Sequence, residues 1–540
     1  MKKLTVLFLV GILILAFGAS GYGQAPKLEF RASGFIDTQT FLDVNVPQRN
    51  TAAGLYATFG SNANYGFTGA PLFAPTNGLN HTAAYWESRA HLKFDAIMGP
   101  NLSGTIFFEI DAAPWGSGWT TGIGLGREAN TLGGWSTDRT AVEVKNIYID
   151  FGLPYFGIPV PITVRVGAQP IGVRPAMLVY TDGTGVTAGI KIDPVLIAPI
   201  YAKPLEGNNF QADDVDVYGL AANVKLGTFT VGGYGLCYNM NSYPLAVTQP
   251  TGIAGFPAVL SPVAPGSNQS RMWWFGAYAD GKAGPLNINY DFVFDNGSVH
   301  QGPNSTRTHY PKVQYQGWAT RAKIDYPWEK FNFGTVLMYA TGADTRHTSP
   351  GGQPGEKTSQ GTLAAYNTGY VVPPASEQSP GNGESMVIYS MEAGATGGYG
   401  LANRANYVAM SPGGFGGTWF TKLYGSMKAT PWWKITLMGL YVGDTTAHGN
   451  TLGTAFKYNG IPIGAGNNQL RNDGTIGWEF DILNEFQIYN NLRFFTGFGY
   501  LFAGDATDVG AIRTVGGVAR TINRSISNPW AFRTRLQYTF

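Results

Sequence analysis

The stretch Pro529-Trp530-Ala531-Phe532-Arg533-Thr534-Arg535-Leu536-Gln537-Tyr538-Thr539-Phe540 decides how the chain is read. Trp530, Phe532, Thr534, Leu536, Tyr538 and Phe540 share one parity, and Ala531, Arg533, Arg535, Gln537 and Thr539 share the other. An extended strand sends these two sets to opposite faces. In a soluble sheet the apolar set would pack on a core and the arginines would meet solvent. In a membrane barrel the apolar set meets lipid and the arginines meet a wet lumen. Composition, and whether the pattern repeats, decide between the two.

Composition favours the barrel. Charged residues are 13% of the chain and aromatics 14%, with 74 glycines. Soluble domains carry about 25% charge. Mean hydropathy is near zero, too polar for a set of membrane helices. A large barrel reconciles the two figures, because alternate residues of each strand face lipid. Lys2 and Lys3, an apolar run from Leu4 to Phe17 and the small residues Gly18 to Gly23 read as a secretory signal over residues 1–23. The mature chain, residues 24–540, is then one barrel domain. Without those two lysines, acidic and basic residues balance, which gives no pull toward nucleic acid. The single Cys237 excludes an internal disulfide framework.

Trp86, Ser88, Ala90, Leu92, Phe94 and Ala96 alternate with Glu87, Arg89, His91, Lys93 and Asp95. After Gly99-Pro100, Leu102, Gly104, Ile106, Phe108 and Ile110 alternate with Ser103, Thr105, Phe107, Glu109 and Asp111. Two alternations joined by a tight turn are a hairpin. The pattern recurs with short turns on one side and long Gly/Ser/Asn/Pro connections on the other, as in outer-membrane barrels. Rings at Tyr155-Phe156, Tyr326-Pro327-Trp328 and Pro431-Trp432-Trp433 suit an interfacial aromatic girdle.

The runs 28–42, 83–97, 101–111, 140–151, 161–170, 184–193, 195–203, 214–226, 228–240, 271–281, 285–295, 315–326, 331–342, 416–429, 433–443, 474–488, 492–503 and 528–540 predict an all-β antiparallel barrel of about 18 strands, with 16 as the alternative. Two runs are irregular. Residues 195–203 contain Pro199, and in 141–151 Glu143 and Lys145 share parity with Ile147 and Ile149, which a bulge near Asn146 would repair.

The terminal Phe540, with aromatic or apolar residues two and four positions before it, resembles the assembly signal of bacterial outer-membrane barrels. Val142-Glu143-Val144-Lys145-Asn146-Ile147-Tyr148-Ile149-Asp150-Phe151, Val164-Arg165-Val166-Gly167-Ala168-Gln169-Pro170, Gly185 to Ile190, Trp478-Glu479-Phe480-Asp481 and Gly499 to Asp505 resemble porins of the alginate-export and phosphate-selective type. The resemblance implies a diffusion channel, trimeric or monomeric, in the bacterial outer membrane. Its partners would be outer-membrane lipids, lipopolysaccharide, small hydrophilic solutes and, through Phe540, the barrel-assembly machinery. It transfers no particular solute.

Parity sends Arg89, Lys93, Arg165, Lys191, Lys225, Arg321, Lys323, Lys422, Lys428, Arg533 and Arg535 to the lumen. Glu87, Asp95, Glu109, Asp111, Glu143, Asp291, Asp295, Asp325, Glu479 and Asp481 go with them, a mixed inventory that predicts weak ion selectivity. Residues 112–139 follow the third strand, where porins often carry a loop that narrows the lumen, so the resemblance implies that they are the constriction loop, with Trp115, Trp119, Arg127, Glu128, Trp135, Asp138 and Arg139 as its candidate residues. The connection 342–415 is far longer than the ~12–15 residues at which loops become uncommon, and would suit an external partner-binding role.

No catalytic, cofactor or metal residues are expected. The histidines His81, His91, His300, His309, His347 and His448 form no tight metal spacing, and neither a phosphate loop nor a dinucleotide fingerprint is present. A passive channel is the leading expectation. A non-conducting sleeve or anchor for a periplasmic or surface partner is the alternative.

Overall fold

A computed structural model describes residues 27–46, 81–111, 115, 142–153, 160–207, 211–242, 268–301, 312–343, 364–374, 383–389, 393–394, 397–398, 401, 414–453, 455–462 and 470–540. Eighteen antiparallel strands close into a barrel. They are β1 (Leu28–Val46), β2 (His81–Met98), β3 (Leu102–Asp111), β4 (Glu143–Gly152), β5 (Ile162–Val173) and β6 (Val179–Ile192). Next come β7 (Val195–Leu205), β8 (Val215–Leu226), β9 (Phe229–Met240), β10 (Asn268–Ala283), β11 (Leu286–Gln301) and β12 (Lys312–Trp328). The last are β13 (Phe331–Ala340), β14 (Thr418–Thr430), β15 (Trp433–Asp444), β16 (Thr475–Tyr489), β17 (Leu492–Ala503) and β18 (Trp530–Thr539). The expected signal segment and Tyr155-Phe156 lie outside the described residues.

Each strand pairs with its sequence neighbours, and β1 pairs with β18 from Phe35↔Thr539 to Val44↔Trp530, so no edge remains. The opening stretch has the two faces that its alternation predicts. Phe532, Leu536 and Tyr538 are exposed on the outside, while Arg533 is 1% exposed and faces inward. Around the wall Phe30, Ile36, Leu220, Leu337, Leu423, Leu437 and Phe480 are likewise exposed outward. Such a belt is tolerable only against hydrocarbon.

Short turns close one rim. Gly227 supplies the positive φ of 60° that its tight β8–β9 turn requires. Trp328 and Trp432 stand exposed at this rim, where the sequence places girdle rings. The bulge expected in β4 is present: Phe107 faces Asn146 and Phe108 faces Val144, leaving Lys145 as the extra residue. Val144, Ile147 and Ile149 therefore all point outward, while Lys145 turns in to Glu109 at 2.6 Å. The β6–β7 pairing breaks between Thr187↔Ile200 and Ile190↔Ile197, next to Pro199, which has no ladder donor.

The inner face is less polar than strict alternation suggests. On β9–β17 the inward positions Leu236, Tyr238, Met240, Met272, Trp274, Val293, Val336, Met338, Phe420, Leu440, Val442 and Leu501 are apolar and buried. They are buried because chain lies against them from inside.

Candidate lumenal site

Two connections from the long-loop rim turn back into the barrel. The first is the β5–β6 tip. Met177 and Leu178 both donate backbone hydrogen bonds to the Arg174 carbonyl, closing a turn whose Met177 and Leu178 side chains are fully buried. Arg174 adopts φ 43°, uncommon for a residue with a Cβ. Its guanidinium crosses the lumen to Asp280 on β10, at 2.6 and 3.2 Å, and to Asp291 on β11. It also lies over the Tyr278 ring, 4.2 Å from the centroid. Burial opposes its charge, but the two carboxylates outweigh burial and raise its pKa further above the ordinary arginine value. The ion pairs over-determine the strained φ.

The second is the β13–β14 connection. Residues 364–367 form a short strand parallel to the start of β12. Tyr370 follows and donates its hydroxyl to the Met177 carbonyl at 2.5 Å, so the two intruding segments touch. Asp295 on β11 accepts from the Val371 amide at 3.1 Å, and Trp274 Nε1 donates to the Val371 carbonyl at 2.8 Å.

Further on, Glu384 places its carboxylate on Arg321 of β12, at 2.6 Å, and on Lys422 of β14. Burial pushes the Glu384 carboxyl up, but the Lys422 ammonium and Arg321 guanidinium outweigh it and hold it down at about 2. The amides of Val387 and Ile388 donate to Glu479 at 2.5 and 2.9 Å, and that of Met386 to Asp481 at 3.2 Å. Successive backbone N–H groups make an anion cradle. Here a pair of wall carboxylates fills it, which satisfies charges that would otherwise be costly to bury. Ser385 Oγ adds a bond to Glu479 at 2.8 Å.

Met386, Ile388 and Tyr389 are almost wholly buried, and the Tyr389 ring packs on Phe415 and Phe420. The wall makes room with glycine. A Cβ on Gly499 would lie 2.4 Å from the Met386 Cβ, and one on Gly317 would lie 2.5 Å from the Gly369 carbonyl. Gly499→Val is expected to loosen the docked segment by about 1–3 kcal/mol. Limited proteolysis of the folded barrel should then cut within 383–389 faster than in the parent.

Many of the predicted lumenal charges sit in paired groups on the wall. Glu109 meets Arg89 at 3.4 Å, His91 at 3.0 Å and Lys145 at 2.6 Å. Lys93 meets Asp95 at 3.0 Å, Arg165 meets Asp150 at 2.7 Å and Lys323 meets Asp325 at 3.4 Å. Arg533 meets Asp43 at 3.0 Å, and Arg535 meets Asp37 at 2.6 Å. Among the predicted lumenal residues, Arg321, Lys422, Asp291, Asp295, Glu479 and Asp481 are joined to an intruding segment.

Trp115 lies elsewhere. Its ring stacks on the outward-facing Trp86 at 5.5 Å and its Nε1 reaches Ser88 at 3.2 Å, so it covers the outer face and not the lumen. Place after the third strand suggested a constriction, but an aromatic ring suits a lipid interface equally well. Trp119, Arg127, Glu128, Trp135, Asp138 and Arg139, together with the Asp111 side chain, lie outside the described residues. Residues 369–373 and 384–389 have buried side chains inside the barrel, so these parts of the 342–415 connection do not take the external role that its length suggests. Sequence reading missed Arg174, Tyr370 and Glu384. Two apolar runs could have signalled the intruding segments: Met177-Leu178 in a turn, and Met386-Val387-Ile388-Tyr389 in a polar connection.

Comparison with solved structures returns porins. Pseudomonas aeruginosa OccK9 (OpdG) is 10% identical, with 94% of this chain and 98% of that one covered at a TM-score of 0.46. A BenF-like porin from Pseudomonas fluorescens Pf-5 is 8% identical, with 94% and 98% covered at 0.44. Pseudomonas aeruginosa OccK5 (OpdH) is 9% identical over the same shares at 0.41. No family model matches the chain, and no curated protein matches it in sequence.

Proposed function

We propose that the chain is a non-enzymatic outer-membrane channel for ions and small hydrophilic solutes, its lumen narrowed by the Arg174–Leu178 turn and by residues 369–373 and 384–389. The observation that carries this is a closed barrel, apolar outside, whose inner wall keeps paired charges on β18 and β1–β5. Charged side chains cost little beside water and about 2–4 kcal/mol at the lipid midplane, so their parity argues for a wet interior. The packed segments favour a pore narrower than the barrel, set against the β1–β6 side, where the wall is charged.

Acid and base alternate along that wall, so ion selectivity is weak. Purified protein in a planar bilayer should give stable open steps and a small reversal potential under a salt gradient. The packed body around Tyr389 and Phe415 favours a second reading, a closed sleeve or anchor. Stable insertion without current would select it.

A further inference from the structure

Above the barrel on the long-loop side, the β17–β18 connection forms a hairpin, Val509–Val515 with Val518–Arg524, turned by Gly516-Gly517. Arg513 stands directly opposite Arg520, with Val515 opposite Val518 and Val509 opposite Arg524. These residues share one face. Between Val509 and Arg524 the hairpin carries three arginines and no acid.

The opposite face is pinned down. Asn523 exchanges hydrogen bonds with the Phe456 backbone at 2.8 and 2.7 Å, and Thr521 Oγ1 donates to the Tyr458 carbonyl at 2.9 Å. That segment adds Lys457, next to the exposed Tyr458. The nearby acids Asp505 and Asp508 are engaged by Arg471, at 3.4 and 2.8 Å. Among the described residues none of Lys457, Arg513, Arg520 and Arg524 has a carboxylate in ion-pair reach.

Like charges held opposite each other on a sheet destabilise it. Arg520 donates one bond to the Gly460 carbonyl at 2.7 Å, and a hairpin that keeps two arginines so placed, with others beside them, is arranged for a polyanion. Its height points to which one. At the same rim, the ends of β14–β18, from which this connection leaves, carry a ring ladder on the outer face. Trp419 meets Tyr441 at 5.4 Å, Tyr441 meets Trp478 at 4.7 Å, and Phe498 meets Trp530 at 5.8 Å. Aromatic rings of this kind mark the headgroup level. Val515 and Val518 are exposed beside the arginines, which gives the face the mixed character of a lipid surface.

We propose that Lys457, Arg513, Arg520 and Arg524 form a docking face for the phosphorylated headgroup of an outer-leaflet glycolipid of the lipid A type. The proposal rests on the outer-membrane reading above. Its test is lipid retention, scored by native mass spectrometry of the full protein in mixed micelles doped with bisphosphorylated lipid A, dephosphorylated lipid A or inorganic pyrophosphate. The parent should retain the bisphosphorylated lipid. R513Q/R520Q should retain it about tenfold less or weaker still, the loss expected for charge-assisted bonds, and dephosphorylated lipid should bind poorly to both.

Equal retention by parent and variant, or equal binding of the dephosphorylated lipid, overturns the proposal. So does displacement by pyrophosphate at matched concentration, which would make the face a soluble-anion site. R520Q also removes the Arg520 bond to the Gly460 carbonyl at 2.7 Å, so R513Q alone is scored beside the double variant, and unchanged heat-modifiable mobility of the barrel confirms folding of both. Retention with no channel current would refute only the channel reading. Current with no phosphate-dependent retention would refute only the docking face.

Discussion

Glu384→Lys is expected to raise single-channel conductance several-fold without unfolding the barrel. The substitution places a third cation against Arg321 and Lys422 in a site where Glu384 is 8% exposed. Breaking a buried ion pair costs about 3–5 kcal/mol, and each ~1.4 kcal/mol is tenfold in an equilibrium. The docked segment should therefore pass from almost always seated to often released. The cradle of Met386, Val387 and Ile388 amides on Glu479 and Asp481 would remain but would act alone, so partial release should appear as current flicker between two levels.

Glu384→Gln is the milder form and carries a pH signature. The folded Glu384 carboxyl sits at about 2 against an ordinary 4.5. A lowered carboxyl contributes its stability in full above the ordinary value and loses it as pH falls toward the folded one. The conductance gap between parent and E384Q should hold at pH 5 to 8 and close between about pH 4.5 and 2. A gap that persists at pH 2, or that is absent at pH 7, would dismiss the Glu384 carboxylate as the latch.

The barrel was legible because each wall strand alternates, and the C-terminal stretch is the clearest case. The strand at 229–240 was legible within the run 228–240 although both faces are apolar at Leu236-Cys237-Tyr238; the chain seated against its inner face was not. Alternation reports a wet interior, and chain seated against the wall removes the water that makes it visible. The lumenal charges followed from parity alone, whereas their contacts with the plug did not. Glu384 finds Arg321 and Lys422 at separations of 63 and 38 residues. No local pattern links residues so far apart. A signal was present in the apolar run 386–389, which a solvent-exposed connection has no reason to keep.

Arg533→Ala should be the most damaging single change to the barrel. β1 and β18 are the first and last strands, and their pairing is the seam that closes the sheet. Arg533 is 1% exposed, donates to Asp43 at 3.0 Å across that seam, and lies 5.4 Å from the Phe41 ring centroid. Removing the guanidinium leaves the Asp43 carboxylate, itself 3% exposed, short of its counter-charge. A loss of about 3–5 kcal/mol follows from that uncompensated charge. Asp43→Ala alone should also destabilise the barrel, because it takes from Arg533 the carboxylate at 3.0 Å across the seam. The double variant should lose less than the sum of the two, since both single changes remove the same Arg533–Asp43 interaction, and the difference measures the coupling. Urea titration of the barrel in micelles, followed by heat-modifiable mobility, reads all three. Additive losses would mean that the pair is not coupled and that the seam is held by its backbone ladder and outer rings alone. Arg535 with Asp37 is the built-in comparison. It bridges the same two strands at 2.6 Å, but its arginine side chain is 25% exposed, so water screens the loss and Arg535→Ala should cost clearly less.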